Sequence, residues 1–216
     1  MLMTVQSAPK QGEFYFLTPS LEYSPELGVL FENVKQLLVP PRLILRPNEG
    51  GFPPLAEKPR LIYDPSKGVM PRDLEAGFSG YWLISERLHR VFSAVDPTGF
   101  SFVECDFRMA DGSEGPRYLL CDVVRLLDAL DEEHSEVEIE ISDDFVNGKY
   151  YDFTGGAKLA FRKEVIKDSH VLILKYSGDC VFCDHVMRGA LREAGAWQDG
   201  GLTGLWLRDA SNWKSD

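Results

Sequence analysis

The apolar positions of this chain change period several times, and each change predicts an element. Leu88, Val91, Phe92 and Val95 recur at i, i+3, i+4 and i+7, the spacing that lines up side chains on one face of an α-helix. The run GYWLIS at 80–85 suits a buried strand, with Ser85 placed to cap the helix and Glu86, Arg87 and Arg90 on its wet face. Asp96-Pro97 and Gly99 end that helix. EFYFL at 13–17 reads as a strand, and Leu27, Leu30, Phe31, Val34 and Leu38 predict a short helix between Pro25 and Leu38. GFSFVECDFRM and RYLLCDVV, joined by the turn-rich ADGSEGP, predict a strand pair. VEIEIS alternates strictly, which predicts a strand with Val137, Ile139 and Ile141 on a buried face and Glu136, Glu138 and Glu140 on the other.

Part of this pattern returns near the C-terminus. YSG at 176–178 matches FSG at 78–80, CVFC at 180–183 takes the place of the strand, and Asp184 takes the capping role of Ser85. With the register shifted by 99, Met187, Ala190, Leu191 and Ala194 fall on Leu88, Val91, Phe92 and Val95. Gly204-Leu-Trp-Leu207 then answers Gly99-Phe-Ser-Phe102, which predicts two related strand-helix-strand units at about 76–108 and 174–209. Eight of the thirteen prolines lie between Pro40 and Pro71, so that region is expected to be extended and loop-rich. The fold class that follows is α+β: a mixed sheet with the two related units and a proline-rich extended N-terminal region. Residues 1–12 read as a tail and 13–216 as a single domain.

Composition changes the picture only moderately. The chain has 216 residues, 44% of them hydrophobic, enough to bury a full core. No stretch approaches the roughly 18 apolar residues of a membrane span, and the start has no secretion-signal pattern, so a cytoplasmic location is expected. Charge changes it more. Formal net charge is -11, and residues 128–144, DALDEEHSEVEIEISDD, hold nine of the 34 acids with no Lys or Arg among them. The remainder is nearly balanced, 25 acids against 23 bases, so the acidity is local. Such a field repels nucleic acid and anionic membrane and attracts a basic partner. Three readings stay open for the run: a solvated edge strand that resists aggregation, a surface for a basic partner, and a cation site.

Candidate catalytic chemistry is sparse. Cys180-Val-Phe-Cys183 ahead of a helix invites a redox reading, but its apolar interior favours buried structural thiols. A zinc site with His185 needs ligands from Cys105, Cys121 or His170 at no recognisable spacing. Gly77-Phe-Ser79-Gly80 is a turn rather than a nucleophile elbow, and His89, on the polar side of its helix, and His134 have no nucleophile partner. No phosphate loop, dinucleotide fingerprint, zinc-protease motif or calcium loop is present.

At FSGYWLISERLHRVF and GLTGLWLRD the sequence resembles the immunity proteins of bacterial polymorphic toxin systems, the eleventh family of that catalogue. The positions that carry the resemblance are Trp82, Ser85, Glu86, Arg87 and Leu88, then Ala194, Gly195, Gly204 and Trp206, within a span from about Tyr15 to Asp209. The second unit departs from the pattern, with Cys183-Asp184 where Ser-Glu is commoner. Ser85-Glu86 reads as a helix cap and Trp206 as core, so the motif residues (Trp82, Ser85, Glu86, Leu88, Gly204, Trp206) are expected to be structural.

The resemblance implies a non-catalytic protein that binds and neutralises a cognate toxin. The absent motifs lead us to expect no cofactor or metal, and the local acidity no nucleic-acid or membrane partner. A basic nuclease is the toxin class that an acidic ribbon suits, which makes Asp131, Glu132, Glu133, Glu136, Glu138, Glu140, Asp143 and Asp144 the expected partner-binding residues. The rival readings are a thiol-dependent enzyme using Cys180 and Cys183, and a regulatory binding module with no toxin partner.

Overall fold

A computed structural model describes residues 8–20, 26–37, 46–47, 50–145 and 147–213. Expectations resting on residues 1–7, Pro25, Leu38, Pro40 and Pro41 lie outside the described residues. In chain order the elements begin with β1 (Phe14–Pro19), β2 (Val29–Phe31), α1 (Val34–Leu37), β3 (Arg60–Tyr63), β4 (Leu74–Phe78), β5 (Tyr81–Ser85) and α2 (Glu86–Val95). Next come β6 (Phe100–Glu104), β7 (Asp106–Met109), β8 (Tyr118–Val123), β9 (Leu126–Leu127), β10 (Glu138–Ile141) and β11 (Lys149–Asp152). The last are α3 (Lys163–Ile166), β12 (Val171–Leu174), β13 (Val181–Asp184), α4 (His185–Glu193), β14 (Leu205–Asp209) and a 3-10 turn, Ala210–Asn212.

The chain divides into two compact, interleaved units of mixed α+β structure, one made of Met1–Thr18, Arg125–Gly189 and Leu207–Asp216 and the other of Pro19–Val124 and Ala190–Trp206. In the first, a five-stranded sheet runs β14-β1-β13-β12-β9, and β10 pairs with β11 in a separate hairpin. Every position of β12 (VLIL) and β13 (VFCD) is buried, which is why VLIL and VFC read as continuous apolar runs rather than as alternation. Phe14, Tyr151, Phe153, Phe161, Leu172 and Phe182 form the centre of its core.

In the second unit, β4-β5-β8-β6 form an antiparallel sheet, and β2-β3-β7 a smaller mixed one. α2 buries Leu88 and Phe92, and Phe92 stacks on Phe100 with ring centroids 4.3 Å apart. Ser85 caps it, its Oγ accepting from Leu88 N at 3.3 Å. Asp184 does the same for α4, its Oδ1 accepting from Val186 N and Met187 N at 3.0 Å each. On α4 the buried positions are Met187 and Leu191, the equivalents of Leu88 and Phe92 in the shifted register.

Four local expectations are corrected. The short helix between Pro25 and Leu38 is instead β2 followed by the single turn α1, because residues 29–31 find a ready-made partner in β3. GFSFVECDFRM is two strands rather than one: β6 pairs with β8, as expected, whereas β7 pairs in parallel with β3. The chain changes sheets at Cys105, whose N–H still reaches Tyr118 O (3.1 Å) while the next N–H, of Asp106, bonds Pro59 O (2.8 Å). Trp206 is half-buried, and the core position of β14 belongs to Leu205. His89 is not wholly on a polar face: its ring meets Phe102 edge-on at 4.5 Å, and burial lowers its pKa.

Candidate functional site

The acid-rich run folds into a turn, an extended stretch and then β10, which pairs antiparallel with β11 in the register Glu138↔Asp152, Ile139↔Tyr151, Glu140↔Tyr150 and Ile141↔Lys149. The seven residues between the strands contain Asn147-Gly148, and Gly148 takes a left-handed φ of 76° that side chains disfavour. Alternation sends the two halves of the sequence to opposite faces. Val137 and Ile139 pack half-buried against the core, where Tyr151 is 1% exposed. Glu138 and Glu140 are exposed on the other face, beside their cross-strand partners Tyr150, also exposed, and Asp152, which is half-buried and accepts from Thr154 N and Oγ1. Ile141 breaks the expectation: at 83% exposure it is not buried, because the hairpin has already left the core by that point.

Bases distant in sequence neutralise part of the run. Asp128 Oδ1 accepts from Arg162 Nη2 at 2.7 Å and Glu136 from Lys158 Nζ at 2.7 Å. Within the run itself, Asp131 Oδ1 meets His134 Nδ1 at 3.0 Å. Glu132 holds both Lys149 Nζ and the Tyr151 hydroxyl, the latter at 2.5 Å. The Lys149 hydrogen bond, then that of Tyr151, holds the Glu132 carboxyl below the usual carboxylate range. Lys149 is further fixed by the rings of Tyr176 (4.3 Å) and Tyr151 (5.3 Å), so Glu132 acts as a clamp for the hairpin rather than as free charge. Glu133, Glu138, Glu140, Asp143 and Asp144 make no ion pair among the described residues.

Of the eight acids read from sequence, five therefore contact no Lys, Arg or His among the described residues, and β11 places Asp152 and Tyr150 beside Glu138 and Glu140. Sequence reasoning missed Lys149, Tyr150, Asp152, Lys158 and Arg162. The Asn147-Gly148 dipeptide was the available signal for the hairpin, and nothing local announces Lys158 or Arg162.

Trp82 is half-buried on β5 opposite Cys121, and Leu88 is fully buried. Glu86 is bound by Arg90 and Arg117, each at 3.1 Å, and their hydrogen bonds, Arg90 first, lower its pKa. Gly204 has φ 82°, and a Cβ there would stand 2.3 Å from Leu74 O, so only glycine fits.

All four cysteines are unpaired by disulfides. Burial pushes the Cys180 thiol up to about 11 and that of Cys105 to about 12, and raises Cys121 and Cys183 as well. Protonated, desolvated thiols are poor nucleophiles, which weighs against thiol chemistry at Cys180 and Cys183. Among the described residues no group of three or more His, Cys, Asp or Glu is arranged to hold a metal ion, and no helix is long and apolar enough to cross a membrane.

Against known proteins, the model of the Immunity protein family (Imm11) matches residues 13–212. No curated protein matches the chain.

Proposed function

The chain belongs to the Immunity protein family (Imm11), and from that premise we propose that it neutralises a cognate toxin by binding it stoichiometrically through the acidic face of the β10–β11 hairpin. Family membership implies the toxin-neutralising role. The observation that supports this surface is the pair Glu138 and Glu140, exposed beside Tyr150 and half-buried Asp152 and without a basic partner among the described residues, while neighbouring acids are paired internally. Unpaired like charges held on a strand are relieved by a partner of opposite sign, and an aromatic among them supplies contact area at low entropic cost. Asp143, Asp144 and Glu133 extend the field around it. A nuclease fits because its phosphate-binding groove is basic, and the encounter then takes place in the cytoplasm. The strand-helix-strand stretches β5-α2-β6 and β13-α4-β14 are, in this reading, two versions of one scaffold unit.

The reading is tested with the toxin module encoded by the neighbouring reading frame. The parent chain should form a 1:1 complex with it and protect cells that express it. Glu136→Gln, Glu138→Gln and Glu140→Gln together should weaken the complex by about ten-fold or more at low salt. Full protection and unchanged binding by the triple variant would move the docking surface elsewhere.

A further inference from the structure

The β10–β11 hairpin has an open edge. Neighbouring positions of an antiparallel strand alternate between bonding inward and pointing outward. Ser142 N donates to Gly148 O at 3.2 Å, so Ser142, Glu140 and Glu138 form the inward set. Ile139 and Ile141 accordingly direct their N–H and C=O groups away from β11. On β11 the corresponding outward group is used, Tyr151 N donating to Tyr176 O at 2.7 Å. On β10 it is not: among the described residues β10 pairs with no strand but β11, and the Ile141 side chain stands 83% exposed.

An open edge is a template for another strand, and the residues beside it select which one. A second copy of this chain is disfavoured, since edge-to-edge pairing would bring Glu138 and Glu140 against the same glutamates of the copy. A segment carrying Lys or Arg at alternate positions meets the opposite situation, with its bases beside Glu138 and Glu140 and its main chain on Ile139 and Ile141.

We propose that the toxin adds an extended, basic segment of its own chain to the outer edge of β10, with main-chain hydrogen bonds to Ile139 and Ile141 fixing its register. This rests on the toxin-binding reading above and names the mode of contact.

Two measurements on the complex with the neighbour-encoded toxin module test it. Ile141→Pro removes the outward N–H while the ladder to β11 stays intact, because its bonds belong to Glu140 and Ser142. That variant should bind about ten-fold more weakly or worse, and Ile141→Thr, which keeps the N–H, should stay within about two-fold of the parent. In the unaltered chain, the amides of Ile139 and Ile141 should exchange with solvent at least about ten-fold more slowly in the complex than free. A folded Ile141→Pro that binds within two-fold of the parent, or unprotected amides at both positions, overturns the edge proposal. Should Ile141→Pro fail to fold, amide exchange decides alone. Absence of any complex with the parent chain is a different result and sinks the toxin-binding reading itself.

Discussion

Asp73 is 4% exposed and accepts five hydrogen bonds: from Ser85 Oγ, Arg87 Nε (3.1 Å) and Nη2 (2.8 Å), and Thr203 N (2.8 Å) and Oγ1 (3.1 Å). Burial raises its pKa, but the bonds from Arg87, Ser85 and Thr203 outweigh it, and the net shift is downward. A folded pKa below the unfolded value of about 3.9 gives stability that is present above that pH and lost as pH falls through the folded value. Asp73→Asn should therefore cost about 2 kcal/mol in urea titrations at neutral pH, and the gap to the parent should narrow below about pH 4. The cysteines make the opposite kind of prediction. Cys180→Ser with Cys183→Ala should lower stability by a few kcal/mol at most, roughly the value of a small buried side chain, and leave toxin protection intact. Loss of protection in a well-folded double variant would restore a chemical role to these thiols.

At the scale of elements, the two longer helices, α2 and α4, depend on single side chains at their starts. Ser85→Ala should cost about 1 kcal/mol in a denaturant titration. Asp184→Ala should cost more, about 2 kcal/mol, since its carboxylate caps α4 twice and also meets His170 Nδ1 at 2.9 Å. Gly204→Ala is expected to be the most damaging small change: a left-handed φ and a 2.3 Å approach to Leu74 O together cost about 3 kcal/mol. Thermal melts of the three variants should rank Gly204→Ala lowest. A Ser85→Ala melt below that of Gly204→Ala would show that the Ser85 to Asp73 bond matters more than the backbone at residue 204.

For the whole molecule the question is which charges act outward. Among the described residues Glu138 and Glu140 have no basic partner, whereas Glu132 binds Lys149 and Tyr151. Changing Glu138 and Glu140 to Gln should leave thermal unfolding nearly unchanged, because Val137 and Ile139 still pack on the core, and should slow association with the toxin by about ten-fold at low salt. The salt dependence of association should shrink in the same variant. Glu132→Gln should do the reverse, loosening the hairpin with little effect on the charge that the toxin first meets. Stopped-flow association rates over a salt series, paired with melts, separate the two classes. Equal salt dependence of the Glu138/Glu140 variant and the parent would make these acids a solvated edge only.

Much of this was already legible in the chain. The period of Leu88, Val91, Phe92 and Val95, the caps at Ser85 and Asp184, and the alternation of Glu138, Ile139 and Glu140 are set by covalent geometry and nearest neighbours, so local pattern suffices to read them. The family motif was legible for the same reason, Gly204 above all, where the backbone admits no other residue. What the pattern left open depends on groups far apart in sequence. The run at 128–144 looked uniformly uncompensated until folding brought Arg162 to Asp128, Lys158 to Glu136 and Lys149 to Glu132. The segment at 29–31 became a strand because β3 lay alongside it, and Asp73 became a hub because Arg87 and Thr203 converge on it. Charge and hydrogen bonding act through space, and only the tertiary structure decides which acids are answered within the chain and which stay exposed to solvent.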